Sequence, residues 1–160
     1  MSPFTITILI SIVSVASLMV LLRIQQKKRR RKKRLLRRLS YLGSAYNLVF
    51  TSEQAWNNRA MGLDGVQRKL LFLHCNGGKW KTELIDLGEV KTCSVEVSGE
   101  MKGRMFEKKL LLQFRLTKGN QVKNIPFYEA TDDAGLFFNL QKRAKDWQGV
   151  LSKMLHVEQT

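Results

Sequence analysis

From Phe4 to Leu22 the chain runs FTITILISIVSVASLMVLL, nineteen residues with no charge, no Gly and no Pro. At ~1.5 Å of rise per residue such a helix comes close to the ~30 Å of bilayer hydrocarbon, so the pattern predicts a transmembrane helix and an anchor over residues 1–24. Its β-branched content does not oppose a helix, because in lipid every backbone N–H must be satisfied within the segment. The hydroxyls of Thr5, Thr7, Ser11, Ser14 and Ser17 are expected to bond back to preceding carbonyls. A cleaved signal peptide would need a basic leader and a shorter apolar stretch. A buried core helix is the remaining alternative.

After Gly43 the period changes to two. RAMGLD (59–64) and KLLFLHC (69–75) are expected to form a hairpin across GVQR, and NGGK (76–79) a second turn leading into WKTELIDL (80–87), with Asn and Gly supplying positive φ. In VKTCSVEV (90–97) Cys93, Val95 and Val97 alternate with polar residues; SGEMKG (98–103) is expected to interrupt the sheet. Leu110, Leu112, Phe114 and Leu116 mark the clearest strand. QVKNIPFYEA (121–130) follows the turn KGN, its Pro126 suited to an edge. From Thr131 the period becomes helical: Leu136, Leu140, Ala144, Trp147, Leu151 and Met154 form a stripe widened by Phe137 and Leu155, with Thr131 or Asp132 as cap and Asp132 and Asp133 favoured at the positive end of the helix dipole. The fold class expected is α+β: an N-terminal helix, then a small antiparallel β-meander or barrel closed by one C-terminal amphipathic helix. The boundaries fall at 1–24 (anchor), 25–45 (basic juxtamembrane segment) and 46–160 (β-rich domain). A fragment beginning near Ser40 is expected to fold without the anchor.

Charge sharpens this division. The net charge of +15 is concentrated: residues 1–38 hold eleven cations and no acid, leaving 17 of the 28 cations against all 13 acids, a net of +4. The high pI therefore belongs to the tether and does not describe the domain's ligand. Cations that follow an apolar run stay on the cytoplasmic side, which predicts a single-pass inner-membrane protein with its N-terminus outside and residues 23–160 inside. Three or four cations would set that topology, so the excess is assigned to anionic lipid headgroups, with Lys27, Lys28, Arg29, Arg30, Arg31, Lys32, Lys33, Arg34, Arg37 and Arg38 as the contact residues. Leu35, Leu36, Leu39 and Leu42 recur at helical spacing just beyond, as in a helix lying partly in the membrane interface. Nucleic acid is disfavoured as a partner because no aromatic residue for base stacking interrupts the run.

Candidate chemistry is sparse. Cys75 and Cys93 form no C-x-x-C and no zinc-like set with His74 and His156; in apolar strand patterns they read as small buried hydrophobes. His74 and Cys75 are adjacent in a strand, so they point to opposite faces and form no nucleophile–base pair. NGGK lacks the upstream Gly of a phosphate loop and places Trp80 where Ser or Thr would hold magnesium. No enzyme, cofactor or metal site is expected.

A meander of six or seven short strands ending in one C-terminal amphipathic helix resembles the pleckstrin-homology-like fold over about residues 46–156. The MGLD…KLLFLHC hairpin is similar to the openings of bacterial membrane-anchored members. The resemblance implies a binding or scaffolding module, in some members for phosphoinositide headgroups. GVQRK (65–69) offers only Arg68 and Lys69 for such a headgroup. The expectation is a non-enzymatic interaction module held at the membrane, its protein partner unidentified; the alternative is an accessory subunit of a membrane enzyme or transport complex.

Overall fold

The computed structural model describes residues 3–102, 105–119 and 121–156, with side chains for 13–99, 108–119 and 121–155. Its elements are α1 (Pro3–Ala45), β1 (Ser52–Trp56), β2 (Arg59–Asp64), β3 (Lys69–Asn76), β4 (Lys79–Asp86), β5 (Val90–Lys102), β6 (Met105–Leu116), β7 (Val122–Tyr128) and α2 (Phe137–His156). The class is α+β. The strands form two antiparallel sheets, β1-β2-β3-β4 and β5-β6-β7, and not one closed barrel. A short 3-10 turn at Leu87–Glu89 carries the chain from one sheet to the other.

The two sheets face each other across the main core. Met61, Leu63, Leu70, Phe72 and Ile85 from the first meet Cys93, Leu110, Leu112, Phe114, Ile125 and Phe127 from the second. Leu140, Ala144, Trp147 and Leu151 of α2 fill its open side, joined by Leu136, Phe137, Met154 and Leu155, the stripe expected from the helical period. Side-chain bonds reinforce the closure where no ladder runs: Trp56 Nε1 donates to the Phe127 carbonyl at 3.0 Å, with the Trp56 and Phe127 rings stacked 4.5 Å apart. Trp147 Nε1 donates to Gln54 Oε1 at 2.7 Å.

Three features of the strands differ from the sequence expectation. β1 was not foreseen; it pairs with β2 across the two-residue turn Asn57–Asn58, and Asn57 takes the positive φ of 46° that such a turn needs. SGEMKG is no interruption, since β5 runs through Lys102 and pairs with β6 as far as Lys102↔Met105. The helix begins later than Thr131: Asp133, not Thr131 or Asp132, caps the 3-10 turn Ala134–Leu136 that leads into α2. Pro126 lies on edge strand β7, where the register shifts opposite Leu110 and Leu111.

The second core lies outside the first sheet. Leu35 and Leu39 of α1, with Leu36 and Leu42, pack on Ala55, Ala60, Leu71, Leu73 and Leu84. These leucines were expected at a membrane interface; the sheet covers them instead. Their docking explains why all six residues of β2 are buried and why Leu70–Leu73 read as an unbroken apolar run, since both faces of these strands are covered. Phe50 wedges the junction: a Cβ on Gly43 of α1 would lie 2.6 Å from its ring, and one on Gly62 of β2 would lie 2.7 Å from it. The Asp64 carboxylate ties the connecting segment down by accepting from the N–H groups of Val49, Val66 and Gln67 at 2.8, 2.9 and 2.8 Å.

Among the described residues no helix carries an apolar stretch long enough to cross a membrane. Described side chains begin at Val13, so residues 4–12 of the nineteen-residue run lie outside them. Ser17 does bond back, its hydroxyl donating to the Val13 carbonyl at 2.8 Å.

Two outcomes are expected from this packing. Leu39→Ala, at a fully buried position, lowers unfolding stability by about 2–4 kcal/mol in urea titration, and a fragment starting at Ser40 is less stable than one starting at Arg31. The Asp64 carboxyl is held below its ordinary 3.8, first by the Gln67 N–H and then by the Val49 N–H. A depressed folded pKa contributes stability above the unfolded value and loses it as pH falls through the folded one. The protection of the Val49 amide against hydrogen exchange, measured relative to its intrinsic rate, should therefore fall in acid as the Asp64 carboxyl protonates, a dependence that Asp64→Asn removes.

Candidate functional site

Helical geometry distributes the basic run. Consecutive residues are turned by ~100°, so eight adjacent cations from Lys27 to Arg34 surround α1 instead of forming one stripe. Lys27, Lys28, Arg29, Arg30, Arg31, Lys32, Lys33, Arg34, Arg37 and Arg38 are all exposed. α1 continues unbroken through them to Ala45.

Docking of α1 brings a subset of these cations to the domain. Arg31, Arg34 and Leu35 form one wall of a cleft of about 250 Å³. Asn57 and Asn58 of the β1–β2 turn, with Gly77 and Gly78 of the β3–β4 turn, close its end. Cys75 and Trp80 line the sheet side, where they oppose each other in register. Gly77 and Gly78 have φ of 56° and 80°, and nothing lies within 4 Å of where a Cβ would stand on either. Beyond Trp80, the Arg38 guanidinium lies 5.6 Å from the Tyr41 ring centroid and 5.9 Å from that of Trp80. Lys28, Arg29, Lys32 and Lys33 line neither this cleft nor the groove of Arg34, Arg37, Arg38, Tyr41 and Trp80.

The opposite, inner face of the same turns carries a buried ion cluster. Arg59 is 2% exposed and pairs with Glu129 and with Asp132, the latter at 2.9 Å. Asn57 Nδ2 donates to the other Asp132 oxygen at 2.9 Å, and the Glu129 N–H donates to Asp132 Oδ2 at 2.9 Å. The cluster thus joins the β1–β2 hairpin to the loop that leads into α2. Among the described residues Arg59 Nε has no hydrogen-bond partner. His74 faces Arg59 across the ladder, and burial followed by the Arg59 charge lowers its pKa below the usual imidazole range.

The cysteines are both free and lie in different sheets. Burial pushes the Cys93 thiol up to about 12, which keeps it protonated and unreactive in the core. Cys75 is only half-buried, unlike the sequence expectation, because it flanks the cleft. Among the described residues no group of three His, Cys, Asp or Glu side chains could hold a metal ion. Arg68, one of two cations in the GVQRK turn, donates from Nη2 to the Met154 carbonyl at 3.1 Å, near the C-terminus of α2. No family model, no curated protein and no solved structure matches the chain.

The sequence singles out Arg31 and Arg34 only as lipid contacts and does not place them at a cleft, since nothing local relates Arg31 to Asn58 or Gly78. It also missed Arg59, whose burial arises only where Glu129 and Asp132 arrive from about seventy residues away. Arg59→Met should cost about 1–3 kcal/mol in urea unfolding, because Asp132 loses its charge-assisted partner, whereas Glu129, 37% exposed, can turn to water. Combining it with Glu129→Gln and Asp132→Asn should recover part of that loss.

Proposed function

We propose that this chain is a single-pass membrane protein whose helix over Phe4–Leu22 holds a non-enzymatic, pleckstrin-homology-like interaction domain at the cytoplasmic face. The observation that carries the reading is the layout of α1: an uncharged run, then eleven cations without an acid, the last of them interleaved with leucines that dock the same helix onto the domain. Cations retained beyond the apolar run orient it with the N-terminus outside. The order of seven strands in sheets of four and three, followed by one packed helix, supports the fold-family assignment.

Because α1 is continuous, the polybasic segment acts as a stiff spacer. Leu22 to Lys27 spans ~8 Å of axial rise and Leu22 to Arg38 ~24 Å. With a Debye length of about 10 Å at 0.1 M salt, Lys27, Lys28 and Arg29 feel the lipid surface strongly while Arg37 and Arg38 hardly do when α1 stands along the bilayer normal. The cluster then has two roles by position, lipid contact near Lys27 and domain contact near Arg34. A reporter fused after Thr160 should behave as cytoplasmic, with the β domain protected from protease in intact cells and digested after permeabilisation. Digestion from outside would overturn the orientation.

A further inference from the structure

We infer that the cleft between α1 and the β3–β4 turn is a binding site for a small phosphate-bearing ligand. Its anion-recognising groups come from two elements that are far apart in sequence. Arg31 and Arg34 are three residues apart on α1, so their side chains rise from neighbouring positions and can bracket one phosphate with paired N–H donors. Neither makes an ion pair among the described residues, and no acidic side chain lines the cleft.

The facing wall offers backbone. The ladder pairs Asn76 with Lys79, which leaves Gly77 and Gly78 as turn residues outside it. With positive φ, no Cβ and open space beyond, they let a ligand approach the main chain closely. The Asn58 amide adds donors, and the Trp80 indole, partly exposed, forms an apolar side wall. The nearby carboxylates of Glu129 and Asp132 are occupied by Arg59.

Size and charge narrow the ligand. About 250 Å³ lies below the ~300–1,000 Å³ of pockets for drug-sized molecules, which suits a phosphomonoester or diphosphate with a small body. An uncompensated run of eleven cations repels itself, and a dianion seated beside Arg31 and Arg34 relieves that repulsion. The site lies on the outside of the first sheet, built from the docked helix. It rests on that docking and not on the membrane reading, so failure of the topology experiment leaves it standing.

The test uses the full chain in neutral phosphatidylcholine nanodiscs, titrated with inorganic pyrophosphate by calorimetry. Saturable binding is expected, weakened at least about tenfold by Arg31→Gln with Arg34→Gln, the loss of one or more charge-assisted hydrogen bonds. Arg29→Gln with Lys33→Gln removes the same charge from the far side of α1 and should weaken binding less than about threefold. The Trp80 indole N–H resonance should shift on binding while those of Trp56 and Trp147, held by the Phe127 carbonyl and Gln54, stay in place. No saturable binding to the unsubstituted chain, or equal loss in both double variants, would overturn the site. Adding phosphatidic acid to the nanodiscs separates the two sources expected of it: a lipid phosphate displaces pyrophosphate, whereas a site for a soluble ligand keeps it.

Discussion

The docking of the C-terminal third of α1 on the outer face of the first sheet is the contact on which the rest of the structure depends. Leu35 and Leu39 cover a surface of Ala55, Ala60, Leu71 and Leu73 that would otherwise be a broad exposed apolar patch. The close approach is possible because Gly43 and Gly62 leave room for the Phe50 ring between helix and sheet. A side chain at either glycine would have to displace an aromatic ring.

That contact makes the C-terminal part of α1 a piece of the domain. A flexible linker would leave the domain free to tumble, whereas a continuous helix held by a second core gives it one direction relative to the rest of α1. The same geometry moves Arg31 and Arg34 from a solvated helix surface to the wall of a cleft. Charge in this protein thus has two fates: cations on α1 stay exposed, and the buried Arg59 is neutralised by carboxylates that reach it from the second sheet's exit.

The buried cluster and the cleft are two sides of one pair of turns. Asn57 sits at their junction, lining the cleft while its amide holds Asp132. The ion pairs of Arg59 with Glu129 and Asp132 tie the β1–β2 hairpin to the loop that leads into α2.

Much of the domain was legible in local pattern. Period-two alternation over Leu110–Leu116 and the three-to-four spacing from Leu136 to Leu155 named the inner faces of β6 and α2 correctly, because in each element only one face is buried and the pattern records which. Composition located the charge and the uncharged run. β1 escaped because a five-residue edge strand with a polar face, Ser52–Trp56, carries too weak an alternation to stand out. The length of β5 escaped because small and charged residues at 98–102 resemble a turn until a partner strand satisfies their backbone. The unbroken run Leu70–Leu73 fits a strand covered on both faces, but that cover, α1 on the outside, is decided only by the tertiary structure. Fold class and charge layout are one-dimensional properties, set by periods of two and 3.6 and by counting. The cleft and the Arg59 cluster join residues up to about seventy positions apart, and such meetings are decided by packing, which no local period encodes.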